Sequence, residues 1–128
     1  MIYERAMELV AALRSGEYEQ ARQVLKSSRG YCCLGVACEI SGLGEWEEEV
    51  AEEGTNRYLY LNSHSSLPDQ VKEHFGFKDN FGAIYDPTVR IRIPRAYSRR
   101  YAALASANDD GVTFAEIADF IEKNWESL

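Results

Sequence analysis

Gly30-Tyr31-Cys32-Cys33-Leu34-Gly35-Val36-Ala37-Cys38-Glu39-Ile40 is the most apolar stretch of the chain, and its reading decides the fold. Its length and its lack of β-alternation predict a buried helix rather than a strand. Gly35 counts against that reading, because an interior glycine costs about 1 kcal/mol in a helix relative to alanine. Glycine at that place also lets another backbone approach closely. The following Ser41-Gly42-Leu43-Gly44 breaks the element.

Upstream, Ala6, Leu9, Val10 and Leu13 keep i, i+3, i+4, i+7 spacing, one face of a helix that Ser15-Gly16 stops. Tyr18, Ala21 and Leu25 predict a second, shorter helix ending near Ser27-Ser28, antiparallel to the first because the gap between them is very short. Downstream, residues 45–53 hold six glutamates in nine positions, a density that repels itself and reads as an exposed loop or a loosely held turn of helix. Segment 57–61, Arg57-Tyr58-Leu59-Tyr60-Leu61, alternates with β-character. Ser66 is placed to cap a short helix with Pro68 in its first turn, Val71 and Phe75 inward, and Gly76 as its stop. Segment 83–93 returns to strand, with Asp86-Pro87 as the turn between two short strands, and Arg90 and Arg92 facing away from Ile91 and Ile93.

The last third reads as helical. Tyr97, Tyr101 and Leu104 line one stripe, with Arg95 and Arg99 almost opposite, and Asn108-Asp109-Asp110-Gly111 forms a turn. Thr113-Phe114-Ala115-Glu116 is a capping box, and Phe114, Ile117, Ala118, Ile121 and Trp125 follow it as the apolar face of a docked terminal helix. The fold class expected is α+β: one domain over residues 1–128, with terminal helices packed around a small antiparallel sheet made from segments 57–61 and 83–93. At 128 residues one domain is the natural count, and 45% hydrophobic residues supply a core that excludes disorder.

Charge and cysteine content bound the function. Asp and Glu number 21 against 14 Lys and Arg, and the resulting charge of −7 disfavours indiscriminate nucleic-acid binding. Three cysteines, two of them adjacent, do not make a secreted disulfide framework, so a reduced, cytoplasmic protein is expected. No membrane span or signal peptide is read, since Glu4, Arg5 and Glu8 fall within the first eight residues.

Candidate chemistry is sparse. Structural zinc needs four converging ligands; the side chains of neighbouring Cys32 and Cys33 diverge, and with Cys38 they sit among Leu34, Val36 and Ala37 as buried, inert thiols. His64 lies in a polar loop and His74 on the outer side of its short helix, so both read as solvated. No metal, no cofactor and no catalytic residue is assigned, and an enzyme is not supported. The departure from a bland composition is Arg90, Arg92, Arg95, Arg99 and Arg100, five arginines in eleven residues, interleaved with Tyr85, Tyr97 and Tyr101. Guanidinium groups bind phosphate or carboxylate through paired planar hydrogen bonds, and aromatic faces can stack a base. Solvation of these arginines, or their pairing with the glutamates of 45–53 within the fold or across a homo-oligomer, is the competing account.

Several words occur together in order: Ala12-Leu13-Arg14-Ser15-Gly16-Glu17-Tyr18, then Tyr31-Cys32-Cys33-Leu34-Gly35-Val36-Ala37-Cys38, Leu67-Pro68, Gly76-Phe77, Asp86-Pro87-Thr88-Val89, and Asn108-Asp109-Asp110-Gly111-Val112-Thr113-Phe114-Ala115-Glu116-Ile117-Ala118-Asp119. This order is similar to a widespread family of small proteins encoded by tailed bacteriophages and prophages, and the resemblance spans nearly the whole chain. Ala107 departs from it, standing where that family usually has leucine, a small loss of packing volume. The resemblance brings no catalytic residues. It implies action by binding: sequestering a nucleotide second messenger of bacterial defence, or blocking a host protein.

The resulting expectation is a phage-encoded, counter-defence binding protein that captures a small phosphorylated ligand. Arg90 and Arg92 hold the anion, Tyr85 stacks, and Asn108 and Asp109 read polar edges or ribose hydroxyls. The alternative is an acidic inhibitor presenting Glu47, Glu48 and Glu49 to a host or defence protein as a charge mimic. A third reading, a hydrolase of a nucleotide signal, lacks an activated nucleophile or metal set.

Overall fold

The apolar stretch folds as a helix, in which every residue from Cys33 to Cys38 is buried. The computed structural model describes residues 1–50, 56–92 and 100–128, and this helix, α2 (Cys33–Ser41), lies at its centre. A thiol caps it: Cys32 Sγ accepts the Gly35 amide at 3.3 Å, where an oxygen side chain is usual. Gly42, at φ +66°, ends it. Gly35 does permit the close approach its position suggested, for a Cβ there would lie 1.7 Å from the carbonyl oxygen of Leu25.

Two amphipathic helices cover this core. α1 (Tyr3–Arg14) turns Ala6, Leu9, Val10 and Leu13 inward, and α5 (Phe114–Asn124) turns Phe114, Ile117, Ala118, Phe120 and Ile121 inward. Each fully buried large apolar side chain contributes about 1.5–3 kcal/mol, so these faces carry much of the stability. The capping box of α5 is formed in both directions: Thr113 Oγ1 accepts from Glu116 N at 3.2 Å, and Glu116 Oε1 accepts from Thr113 N at 3.0 Å. Trp125 falls in a 3₁₀ turn (Trp125–Ser127) just past the helix, edge-on to Tyr3.

The architecture is α+β with small antiparallel sheets. β1 (Lys26–Ser27), β2 (Gly30–Tyr31), β3 (Trp46–Glu49) and β4 (Arg57–Tyr60) form one sheet in the order β2-β1-β4-β3. β5 (Ile91–Arg92) and β6 (Arg100–Tyr101) form a separate pair. α3 (Asp69–Phe75) and α4 (Leu104–Asp109) complete the described elements. No helix among the described residues is long and apolar enough to cross a membrane.

Six local expectations are corrected. The helix over Tyr18–Leu25 does not form, because its backbone is claimed elsewhere: Ala21 N donates to Tyr31 O at 2.7 Å, Tyr31 N to Glu19 O at 2.8 Å, and Leu25 N to His64 O at 2.7 Å. Four apolar positions in eight residues cannot outweigh that pairing in a segment too short to nucleate alone. Glutamate-rich 46–49 is strand β3, not a loop. As the sheet edge it leaves Glu47 and Glu48 exposed to water, which relieves their repulsion, while Trp46 packs against Tyr60. Glu52 and Glu53 lie outside the described residues.

Segments 57–61 and 83–93 do not share a sheet. The turn at Asp86-Pro87 exists, with Val89 N donating to Asp86 O at 3.1 Å, but the flanking backbone pairs with the C-terminal part: Ile84 N with Ala102 O and Tyr85 N with Ser127 O. Tyr101 belongs to β6 rather than to a helical stripe, and Asn108 and Asp109 end α4, leaving Asp110 and Gly111 as the turn. Tyr97, Arg95 and Arg99 lie outside the described residues. Ser66 is not a cap; α3 begins after Pro68, with Val71 and Phe75 inward and Gly76 (φ +74°) closing it.

Because the Leu25 carbonyl belongs to the backbone and cannot step aside, Gly35→Ala must push α2 off the β1 segment. It is expected to cost several times the usual surface substitution, about 3 kcal/mol or more. Urea unfolding followed by far-UV circular dichroism measures this, and a variant as stable as the parent would contradict the packing.

Candidate functional site

Residues 20–38 contain no carboxylate, the counterpart of an otherwise acidic chain, and they carry Arg22, Lys26 and Arg29. The 16–25 loop, β1 and the start of β4 enclose a groove of about 580 Å³. Among the described residues its lining comprises Arg22, Arg29 and Arg57, the amide residues Gln20, Gln23 and Asn56, and Ser27, Ala21 and Val24, with no acidic residue. Neither Arg22 nor Arg29 forms an ion pair among the described residues, and both are exposed. Arg57 is engaged: its Nε donates to Glu49 Oε1 at 2.8 Å.

The loop that forms one wall is held from behind. Gln23 has φ +70°, a left-handed conformation costing a non-glycine residue about 1–2 kcal/mol. Its amide donates to Asp109 Oδ1 at 2.7 Å. Asn108, fully buried, accepts on Oδ1 from Gln20 Nε2 at 2.9 Å and from Cys33 N at 3.1 Å, and donates through Nδ2 to Ala21 O at 2.9 Å. Gln20 also donates to Val112 O at 2.7 Å, so its side chain is fixed.

None of the five residues expected to hold a ligand lines this groove. Asn108 cannot read a ligand, since no part of it reaches solvent and its carboxamide is already bonded. Asp109 supports the groove loop from outside its lining. Arg90 folds back on its own turn, donating to the carbonyls of Asp86 at 3.0 Å and Val89 at 2.6 Å. Arg92 is exposed beside a shallow cavity of about 260 Å³ whose charged lining also includes Glu116, Asp119 and Lys123, and neither Arg90 nor Tyr85 lines it. Tyr85 is 57% exposed, its hydroxyl 3.4 Å from Asp79 Oδ2. The five residues are therefore not brought together. Of the acidic alternative, Glu47 and Glu48 are exposed on the edge strand, with Glu48 accepting from Asn56, and Glu49 is committed to Arg57.

Reading the sequence by local arginine density missed Arg22, Arg29 and Arg57, which come from three segments. The acid-free run was the signal that marked two of them. The cysteines are buried and free, as expected, and burial pushes the Cys32 thiol up to about 11 and those of Cys33 and Cys38 upward as well. His74 is half-buried against Arg5, and burial first, then that guanidinium, lowers its pKa. Among the described residues no group of His, Cys, Asp or Glu converges to hold a metal ion.

Two measurements follow from this geometry. Asn108→Leu strands the Cys33 amide and the Ala21 carbonyl in the interior. At about 1–3 kcal/mol per stranded group it should lower the urea unfolding free energy by about 3 kcal/mol, whereas Asp109→Ala at the surface should cost under about 1 kcal/mol. The thiols give a pH signature: a group whose pKa is raised by folding stabilises fully below its unfolded value, near 8.5 for cysteine, and that contribution is lost as pH rises towards about 11. Stability should therefore decline above about pH 8.5, and less steeply in Cys32→Ala.

No curated protein and no solved structure matches this chain. One family model does, over residues 3–125, from the first turn of α1 to the residue after α5. The chain belongs to that family, described as a domain of unknown function, DUF8296.

Proposed function

We propose that this protein binds a small phosphorylated, nucleotide-like ligand in the groove bounded by Arg22, Arg29 and Arg57. The observation that carries this reading is the charge of the lining: among the described residues it holds three guanidiniums and no carboxylate, on a chain whose net charge is −7. Guanidinium forks suit phosphate oxygens, and charge-assisted hydrogen bonds of this kind are about twice as strong as neutral ones. The volume of about 580 Å³ falls in the range of small-molecule sites. Asn108 and Asp109 serve as positioning residues, shaping the wall without touching the ligand.

The role is capture rather than turnover. The buried thiols, with their raised pKa values, supply no ready nucleophile. In the setting suggested by the sequence words, a tailed phage inside its host, capture of a phosphorylated signal in the cytoplasm amounts to counter-defence. The exposed Glu47 and Glu48 on an edge strand favour a second reading, an acidic surface offered to a basic protein. Neutralising both separates the two, because small-ligand binding survives that change and a charge-mimic interaction does not.

The test is a thermal-shift screen of the intact protein against nucleotides and cyclic nucleotides. A ligand at one hundred times its Kd stabilises by about 2.7 kcal/mol. Arg22→Ala with Arg29→Ala should remove that shift, weakening binding at least about tenfold per arginine, while leaving the ligand-free Tm unchanged. Arg90→Ala with Arg92→Ala should leave the shift intact. Loss of binding in the second pair and not the first would place the site elsewhere.

A further inference from the structure

Resting on the anion-binding reading above, we infer that the groove selects its ligand by the number of phosphoryl groups and is indifferent to the base. Specific base recognition requires a flat face to stack on and groups that read the base edge. No aromatic residue lines the groove among the described residues. The pleat accounts for this. Successive strand residues point to opposite sides, and the pairs Lys26/Ser27, Gly30/Tyr31 and Arg57/Tyr58 put every groove-lining strand residue on one side and the rings on the other.

The rings are also occupied. Lys26 Nζ lies 5.1 Å from the Tyr31 ring centre, 5.3 Å from that of Trp46 and 4.8 Å from that of Tyr58. To reach a ligand across the sheet they would have to abandon a shared cation. Of the three lining carboxamides, that of Gln20 is bonded to Asn108 and Val112 and that of Asn56 to Glu48, which leaves the exposed Gln23, and a single carboxamide with no ring beside it does not fix a base.

Charge then sets the preference. Arg22 and Arg29 have no acidic partner among the described residues, whereas Arg57 already shares its charge with Glu49. A phosphomonoester carries about −1.5 to −2 at neutral pH and is matched by two guanidiniums. Each additional phosphoryl group brings further negative charge able to compete with Glu49 for Arg57. Affinity should therefore climb with phosphate number whatever the phosphate is attached to.

Calorimetric titration of the full chain with adenosine, AMP, ADP and ATP, then GTP, CTP and UTP, and finally inorganic tripolyphosphate, tests this. Adenosine should not bind, each phosphate should strengthen binding about tenfold, the four triphosphates should agree within about threefold, and tripolyphosphate should displace ATP. Glu49→Gln frees Arg57 and should tighten AMP binding, narrowing the step from AMP to ADP. Binding of adenosine alone, a tenfold preference for one base, or tighter binding of a single-stranded oligonucleotide would overturn phosphate counting while leaving the groove a binding site. If none of these compounds binds, tripolyphosphate included, the anion-binding reading itself falls.

Discussion

Three segments of the chain meet at the carboxamide of Asn108. Its oxygen receives the side chain of Gln20 and the first amide of α2, and its nitrogen bonds the carbonyl of Ala21. The residue sits at the end of α4, so one side chain joins that helix, the central helix and the groove loop, with Val112 tied in through Gln20. Asparagine suits the place because it is neutral and carries both donor and acceptor. An aspartate of similar shape could not donate to Ala21 and would place a charge in the interior at a cost of several kcal/mol, about the size of a domain's net stability. Since the 16–25 loop has neither helix nor strand of its own, its shape depends on this anchor and on the backbone bonds to Tyr31 and His64.

The electrostatic division of the molecule follows from the same arrangement. The acid-free run from Gln20 to Cys38 covers the second half of the groove loop, β1, β2 and most of α2, while carboxylates flank it in sequence. On the sheet, alternation turns Ser27 and Arg57 towards the groove and leaves Lys26 among rings on the opposite side. The edge strand β3 is protected from further pairing by its glutamates, and Glu49 links that edge to the groove through Arg57.

What the sequence revealed depended on the range of the interactions involved. α1 and α5 were legible because their buried faces repeat every three to four residues, α2 because its apolar run is long and lacks β-alternation, and their caps are local: Ser15, Gly42 and the Thr113–Glu116 box. The loop at Tyr18–Leu25 was misread as a helix because two of its four apolar residues, Ala21 and Leu25, really are buried, yet by a loop whose amides bond to the distant carbonyls of Tyr31 and His64. β3 was hidden because glutamate is a poor strand former, and only pairing with Arg57–Tyr60 reveals why it is extended. Splitting of the strands into two sheets is likewise a matter of distant pairing, which no local pattern encodes.

The site shows the same limit in a sharper form. Arginines close in sequence on an extended chain cannot converge on one ligand unless another segment returns to face them. Strand residues two apart are separated by about 6.6 Å and need an opposing wall. Arg92 and Arg100 do face each other as Cα partners of β5 and β6, but both are exposed on a two-stranded ribbon. Water can hydrate both guanidiniums there, so little is gained by exchanging it for an anion. Arg22, Arg29 and Arg57 lie apart in sequence, and the chain must turn twice before they share a concavity. A cluster in sequence measures how much charge is available; a closed wall of backbone decides whether that charge can be used. In this fold the wall exists where α4 and α2 hold the 16–25 loop against β1, and a buried asparagine behind that wall sets its shape.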